Sequence, residues 1–408
     1  MTPSLGTLPR ELKAKVASEV REKVDLFHLS LVSRCWPDIV RPLLYATLSR
    51  QDVFSLANPS ALSVCKDALV HTRQVSLALI DPCRFVTDSH TAPNNPVMRQ
   101  AFEEEMDWLF AGFVRALVNL RHITVFSHRQ YDDPPDEDEP EGAPAPQGMD
   151  RSPRYFSTFT LHALFTLPHL TSISIEEVQS RFDISIAAQL IMGCPALDRF
   201  ALNLFPSMGY VMRYLMPPDG PAPDETVSRQ QLVRAIYRSR TLTSLELTGP
   251  CIVDVASLPG PFLPRLTRLG VRLQMSAENL VADMIAASSA TLTHLGVDAP
   301  VPFRLVDKQP PSFPNLSKVV LEASHQIRPM HEMDIACLCQ APIRHLGLMG
   351  YGSGELAGKL LAKEDTTLRN LERLDLARPS AATISHIGEM CAKQGISFDG
   401  SWQHRLPL

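Results

Sequence analysis

Gly352-Ser353-Gly354-Glu355-Leu356-Ala357 has the form G-x-G-x-x-A, and Asp375 lies 23 residues after Gly352. Glycines at that spacing let a backbone approach a pyrophosphate at a helix N-terminus, and an acid about 20 positions on accepts the ribose hydroxyls of a dinucleotide. The motif needs a strand before it and a helix after it, and the apolar pattern predicts both. A nucleotide-binding sheet also needs further strands beyond the acid, yet only 33 residues follow Asp375. The adjoining Gly358-Lys359 is not a phosphate loop, because Ser353 stands where the first glycine is required and Leu360 where Ser or Thr is required. Cys337 and Cys339, with His331 and His345 in the same stretch, are spaced wrongly for zinc ligands and read as packed thiols. There is no G-x-S-x-G and no H-E-x-x-H, and the 13 histidines are dispersed. No cofactor, no metal and no catalysis are expected of this chain.

The elements that carry these residues are repeats. Apolar residues recur at i, i+3 and i+5 in Leu120/Ile123/Val125, Leu170/Ile173/Ile175, Leu197/Phe200/Leu202, Leu242/Leu245/Leu247, Leu266/Leu269/Val271, Leu292/Leu295/Val297, Leu316/Val319/Leu321, Ile343/Leu346/Leu348 and Leu371/Leu374/Leu376. Six of the eight intervals between units are 24 to 28 residues, and the two longer ones contain insertions. A weaker unit at Val75-Ser76-Leu77-Ala78-Leu79 starts the array. Between the strands the period becomes helical. Leu280, Val281, Met284 and Ile285 share one face after a candidate cap at Ser276, and Leu232, Val233, Ile236 and Tyr237 share another beside a solvated rim of Arg229, Arg234, Arg238 and Arg240. Further helices are predicted near 102–118, 183–193, 332–340, 354–364 and 380–394.

This alternation resembles the leucine-rich repeat, whose L-x-x-L-x-L core is a short strand facing a shared interior. The resemblance implies an α/β fold, a solenoid with a curved parallel sheet. The consensus Asn after each strand is missing: His128, Val178, Phe205, Pro250, Gln274, Pro300, Ser324, Tyr351 and Pro379 stand there. No Asn ladder forms, so the solenoid is expected to be irregular.

Composition sets the outer limits. The chain has 408 residues, 45% of them hydrophobic, and a mean hydropathy of −0.03, values of a globular protein with room for more than one domain. No apolar run reaches the ~18 residues of a membrane helix, and the N-terminus lacks a signal-peptide layout. The eight cysteines form no CxxC pair and read as reduced thiols of an intracellular protein, cytoplasmic or nuclear. The net charge is −5, but Asp132, Asp133, Asp136, Glu137, Asp138, Glu139 and Glu141 alone supply seven negative charges. They lie in a Pro-rich insertion, residues 127–153, that is expected to be disordered. A second insertion, 206–226, couples Tyr210, Met212, Tyr214 and Met216 to the turn-rich Pro217-Pro218-Asp219-Gly220-Pro221. Neither nucleic acid nor membrane is expected as a partner.

The first 49 residues differ from the repeats. Pro9 suits a first helical turn, Thr7 is a candidate cap, and Leu12, Val16 and Val20 form a stripe on a helix from about Pro9 to Val20. Leu26, Leu29, Leu31, Val32 and Trp36 add a second apolar face, more than two short helices can bury between themselves. The order of landmarks, Leu8-Pro9, then Leu29-Ser30-Leu31-Val32-Ser33-Arg34, then Trp36, resembles an F-box. With the repeats behind it, the chain resembles the fungal F-box family: an F-box domain at 5–49 and a solenoid at 50–400. The resemblance implies docking on a Skp-type adaptor and through it on a cullin, so that the chain selects a protein substrate for ubiquitination. It assigns Leu8, Pro9, Leu12, Val16, Leu26, Leu29, Leu31, Val32 and Trp36 to the adaptor face or its immediate support. The link Arg21-Glu22-Lys23-Val24-Asp25 departs from the family in lacking a Pro or Gly turn residue. The alternative is a non-ligase scaffold whose N-terminal helices cap the repeats.

Overall fold

Every residue of the nine apolar triplets is buried, none more than 9% exposed, because each triplet supplies the inward face of one short strand and its approach. The computed structural model describes residues 8–32, 34–49, 52, 59–79, 108, 110–127, 158–179, 183–205, 223–249, 251–253, 266–272, 277–298, 312–322, 338, 341–350, 352–362, 368–377 and 379–401. The fold is α/β, and each strand pairing found is parallel. The chain divides into two compact units, Met1–Phe182 with Gly193–Leu197, and Asp183–Met192 with Asp198–Leu408.

The first unit opens with three helices, α1 (Arg10–Glu19), α2 (Lys23–Val32) and α3 (Pro37–Leu44). The strands β1 (Thr47–Leu48), β2 (Gln74–Leu79), β3 (His122–Ser127) and β4 (Ser172–Gln179) follow, paired in that order. Helices Pro59–Leu69, 110–116 and Thr158–Phe165 lie between them.

The second unit carries β5 (Arg199–Phe205), β6 (Ser244–Thr248), β7 (Arg268–Arg272), β8 (His294–Asp298), β9 (Lys318–Glu322), β10 (His345–Met349), β11 (Arg373–Ala377) and β12 (Ser397–Asp399). Each pairs with the next. Helices Pro223–Arg238, Glu278–Ser288, Ser353–Ala362 and Ala381–Gln394 contribute the opposing apolar faces, with Ile236, Ile285, Leu356 and Ile387 among the buried residues.

Register is fixed where the strands begin. The carbonyls of Ala46, Arg73, Arg121, Asp198, Thr243, Thr267, Thr293, Ser317 and Arg344 each accept two consecutive backbone amides from the next strand's first residues, as when Thr267 and His294 are joined at 3.1 Å and Thr267 and Thr293 at 2.8 Å. Where the first of those two residues carries a hydroxyl, it donates to the same carbonyl: Thr171 to Arg121, Thr243 to Asp198, Thr267 to Thr243, Thr293 to Thr267 and Ser317 to Thr293, at 2.9 to 3.4 Å. A Ser/Thr ladder thus stitches successive units together.

Several expectations change. Helix Glu278–Ser288 is preceded by Ala277, which makes no side-chain cap, while Ser276 and Thr7 lie outside the described residues. Arg229 is buried at 2% exposure rather than on the solvated rim, because helix Pro223–Arg238 begins well before 231 and carries it toward Cys251; Arg234, Arg238 and Arg240 are exposed as expected. Positions 223–226, expected in the second loop insertion, are helical, since Pro223, Asp224 and Glu225 suit a first turn. The acidic tract, residues 206–222, Cys337 and Cys339 lie outside the described residues.

Replacing Thr267 and Thr293 together by Val keeps the β-branched shape and removes the two hydroxyl bonds to strand-head carbonyls, and with them the Thr293 contact with His294 Nδ1. A loss of about 1–2 kcal/mol is expected in urea denaturation. An unchanged midpoint would mean that the amides alone hold the register.

Candidate functional site

Helices α1, α2 and α3 build a small core of their own from Ala17, Leu26, Trp36 and Val40, with Val20, Leu29, Ile39, Leu43 and Leu44 packed against it. Two features of the sequence explain why α1 does not turn its Leu12/Val16 stripe inward. Ala17 is small enough to let α1 approach closely, and buried Lys13 sets its ammonium over the Trp36 ring, with Nζ 6.0 Å from the ring centroid and donating to Cys35 Sγ at 3.0 Å. The buried residues of α1 are therefore Lys13 and Ala17.

The apolar side chains left over face outward. Leu12 is 49% exposed and Val16 37%, and on α2 Val24 is 64%, Phe27 53%, Leu31 69% and Val32 54%. Val24, Phe27 and Leu31 follow one another at helical spacing, so they form one stripe. Of the nine residues assigned from sequence, Leu12, Val16, Leu31, Val32 and Pro9 lie on the surface and Leu8 is half-buried. Leu26 and Trp36 belong to the core beneath it, and Leu29 packs against that core. Val24 and Phe27 belong to the surface stripe and were not among the nine; their place at seven and four residues before Leu31 was the signal available. The link between α1 and α2 needs no Pro or Gly, because it is only Val20 to Glu22 and α2 already begins at Lys23. Helix α3, also unforeseen, is announced by Pro37 at its first turn.

The glycine motif has a different geometry from the one nucleotide binding requires. Gly352, at φ +81°, makes the turn from β10 into helix Ser353–Ala362. A Cβ on Gly354 would lie 2.5 Å from Thr383 Cγ2, and one on Gly358 would lie 3.6 Å from Ile387 Cδ1. The two glycines, four apart, let this helix pack closely on helix Ala381–Gln394. Asp375 sits in the middle of β11, 1% exposed, with one oxygen 2.6 Å from His345 Nε2 and the other accepting from Arg373 Nε at 2.8 Å. Burial by itself would raise its pKa, but the hydrogen bonds from His345 and Arg373 outweigh burial and hold it below the usual carboxylate range. Both oxygens are thus engaged within the protein.

No other constellation among the described residues competes. Burial pushes the Cys194 thiol up to about 12 and raises Cys251 and Cys391, so these remain protonated thiols at neutral pH. No group of three or more His, Cys, Asp or Glu residues able to hold a metal ion occurs among the described residues. Among them, too, no helix is long and apolar enough to cross a membrane. No protein-family model matches the chain, and no curated protein is similar to it in sequence. The observations establish the class, an α/β chain of parallel strands, and one outstanding surface, the apolar face of α1 and α2.

Gly354→Val should lower the melting temperature with no nucleotide present, at a cost of about 1–3 kcal/mol from overpacking against Thr383. Added nucleotide should move the melting curve of neither protein. Asp375→Asn should cost about 2 kcal/mol at pH 7 by weakening two hydrogen bonds to a charged group. Because the folded pKa is depressed, that contribution is complete above the unfolded value of about 3.9 and is lost as pH falls through the lower folded value. Melting temperatures of variant and parent should therefore converge below about pH 4.

Proposed function

We propose that this chain is the substrate-recognition subunit of an SCF-type cullin ubiquitin ligase. Its first 49 residues act as an F-box on a Skp-type adaptor, and the strand-and-helix units form an irregular leucine-rich-repeat-like solenoid that holds a protein substrate. In this reading the chain recruits and catalyses nothing itself. The observation that carries the proposal is the outward apolar face of α1 and α2. Six large apolar side chains, Leu12, Val16, Val24, Phe27, Leu31 and Val32, stay exposed although the helices possess a complete core beneath them. Scattered surface leucines need no explanation, but the Val24, Phe27 and Leu31 stripe along α2, with Leu12 and Val16 exposed on α1, suits a protein contact. The F-box resemblance falls on the same helices and says what kind of contact.

A second reading draws on a separate observation. Helix α3 ends at Leu44 and the carbonyl of Ala46 already accepts amides from Arg73 and Gln74, so the helices run directly into the first strand pair. A cap of a non-ligase scaffold is joined in this way.

The two readings part at Leu31. With 69% of its surface exposed, Leu31 can be replaced without disturbing the core, whereas Leu29 packs against it and β1 would be lost in a truncation at residue 50. A charged residue at the centre of a protein interface costs several kcal/mol, so Leu31→Asp should weaken adaptor capture at least about 100-fold. The check is co-purification of full-length parent and variant with a Skp-type adaptor, beside their melting curves. Capture by the parent and not by the variant is the expected outcome; no capture by either would leave the cap reading.

A further inference from the structure

Successive side chains on a strand point to opposite faces. On the second unit's sheet, the face turned away from the leucine anchors begins with a row of residues held in register across all eight strands: Arg199, Ser244, Arg268, His294, Lys318, His345, Arg373 and Ser397. The five consecutive members from Arg268 to Arg373 are all basic types. Neighbouring strands lie about 4.8 Å apart, so this row is about 19 Å long. The permanent cations Arg268, Lys318 and Arg373 stand on every second strand, with His294 and His345 between them.

The rest of the face neutralises its charges internally. Four residues past Arg268 on the same strand, buried Arg272 is held by Glu246 at 3.1 Å and by Glu322 at 3.8 Å. Gly270 leaves room for that contact, since a Cβ there would lie 3.2 Å from Glu246 Cγ. At one end of the row Asp375 takes His345 and Arg373. Arg268 and Lys318 are treated differently: half-buried, they take part in no ion pair among the described residues. Between them stands His294, held below the ordinary imidazole range by partial burial and then by Arg268, Lys318 and His345. Lys318 feels the Asp375 carboxylate without pairing with it, beside the repulsion of Arg373 and Arg268, so among the described residues Arg268 and Lys318 keep their ion-pairing capacity for an outside anion.

We infer that the stripe Arg268, His294 and Lys318, continued by His345 and Arg373, is the binding track for an extended, carboxylate-rich segment of a partner polypeptide. The row is one residue wide, and about six residues of extended chain cover it. A polynucleotide fits it poorly. No Phe, Tyr or Trp lies on this face from β6 to β11 to stack a base. The inference gives the proposed receptor's substrate a chemistry and depends on that reading only for calling the partner a substrate; its experiment uses no adaptor.

The probe is a fluorescein-labelled Glu-rich dodecapeptide, titrated with the full chain in fluorescence anisotropy beside its Gln counterpart. The Glu peptide should bind and the Gln peptide should not. The double variant Arg268→Ala/Lys318→Ala should weaken binding about tenfold. Arg234→Ala/Arg238→Ala, which removes two exposed cations of helix Pro223–Arg238, should leave it unchanged. If the double variant melts early, the milder Lys318→Gln replaces it, with a smaller loss in the same direction. No binding of the Glu peptide by the parent, equal binding by the row variants, or displacement of the peptide by a lower concentration of a single-stranded oligonucleotide would each overturn the inference. Leu31→Asp should bind the peptide as the parent does, so the track stands even if adaptor capture fails.

Discussion

A carbonyl at the head of nine of the strands, receiving two successive amides of the following strand, is the contact on which both units depend. It sets the register one residue before the sheet ladder begins, and the ladder then has no freedom to slip. A slip of one residue in a parallel sheet would send every leucine anchor to the opposite face. The hydroxyls of Thr171, Thr243, Thr267, Thr293 and Ser317 reinforce the same point. With register fixed, anchors such as Leu245, Leu269 and Leu295 line up inside, and Arg268, His294 and Lys318 line up outside by the same necessity. The cation row is thus a consequence of the strand pairing and of which residue each unit carries at its first strand position.

The fold was legible where burial imposes a period. The i, i+3, i+5 triplets announced their strands because each anchor must leave water at the same place in every unit, and helices Ile184–Gly193, Ser353–Ala362 and Ala381–Gln394 fell where their apolar stripes placed them. Elements too short to show a period were missed: β1 has two residues and β12 three, and each is defined by its partner rather than by its own pattern. The Ser/Thr ladder was missed for another reason. The consensus stabilises its turns with an Asn after each strand, whereas this chain stabilises the approach to the next strand with Ser and Thr, residues common throughout any sequence.

The candidate surface was half legible. Leu12, Val16, Leu31 and Val32 could be picked out as apolar residues in excess of what two helices bury, but periodicity cannot tell which side of a short helix faces its neighbour. That choice was made by Lys13 and Ala17, a cation lying on an indole and a residue without bulk, and it left the larger apolar side chains outside. Gly354 misled in the opposite direction. Its motif suggested a ligand, and its neighbour is Thr383 of the adjacent helix.

The brevity of β1 and β12 bears on how the molecule behaves in company. A strand with one described neighbour offers its other edge to any chain that can pair with it, and parallel arrays of repeats are suited to adding copies of themselves. Two or three residues of free backbone give an incoming strand very few hydrogen bonds. Growth of a filament by strand addition at these termini therefore gains too little per step to proceed. Very short edge strands are one of the ways in which sheets are kept from pairing with other chains.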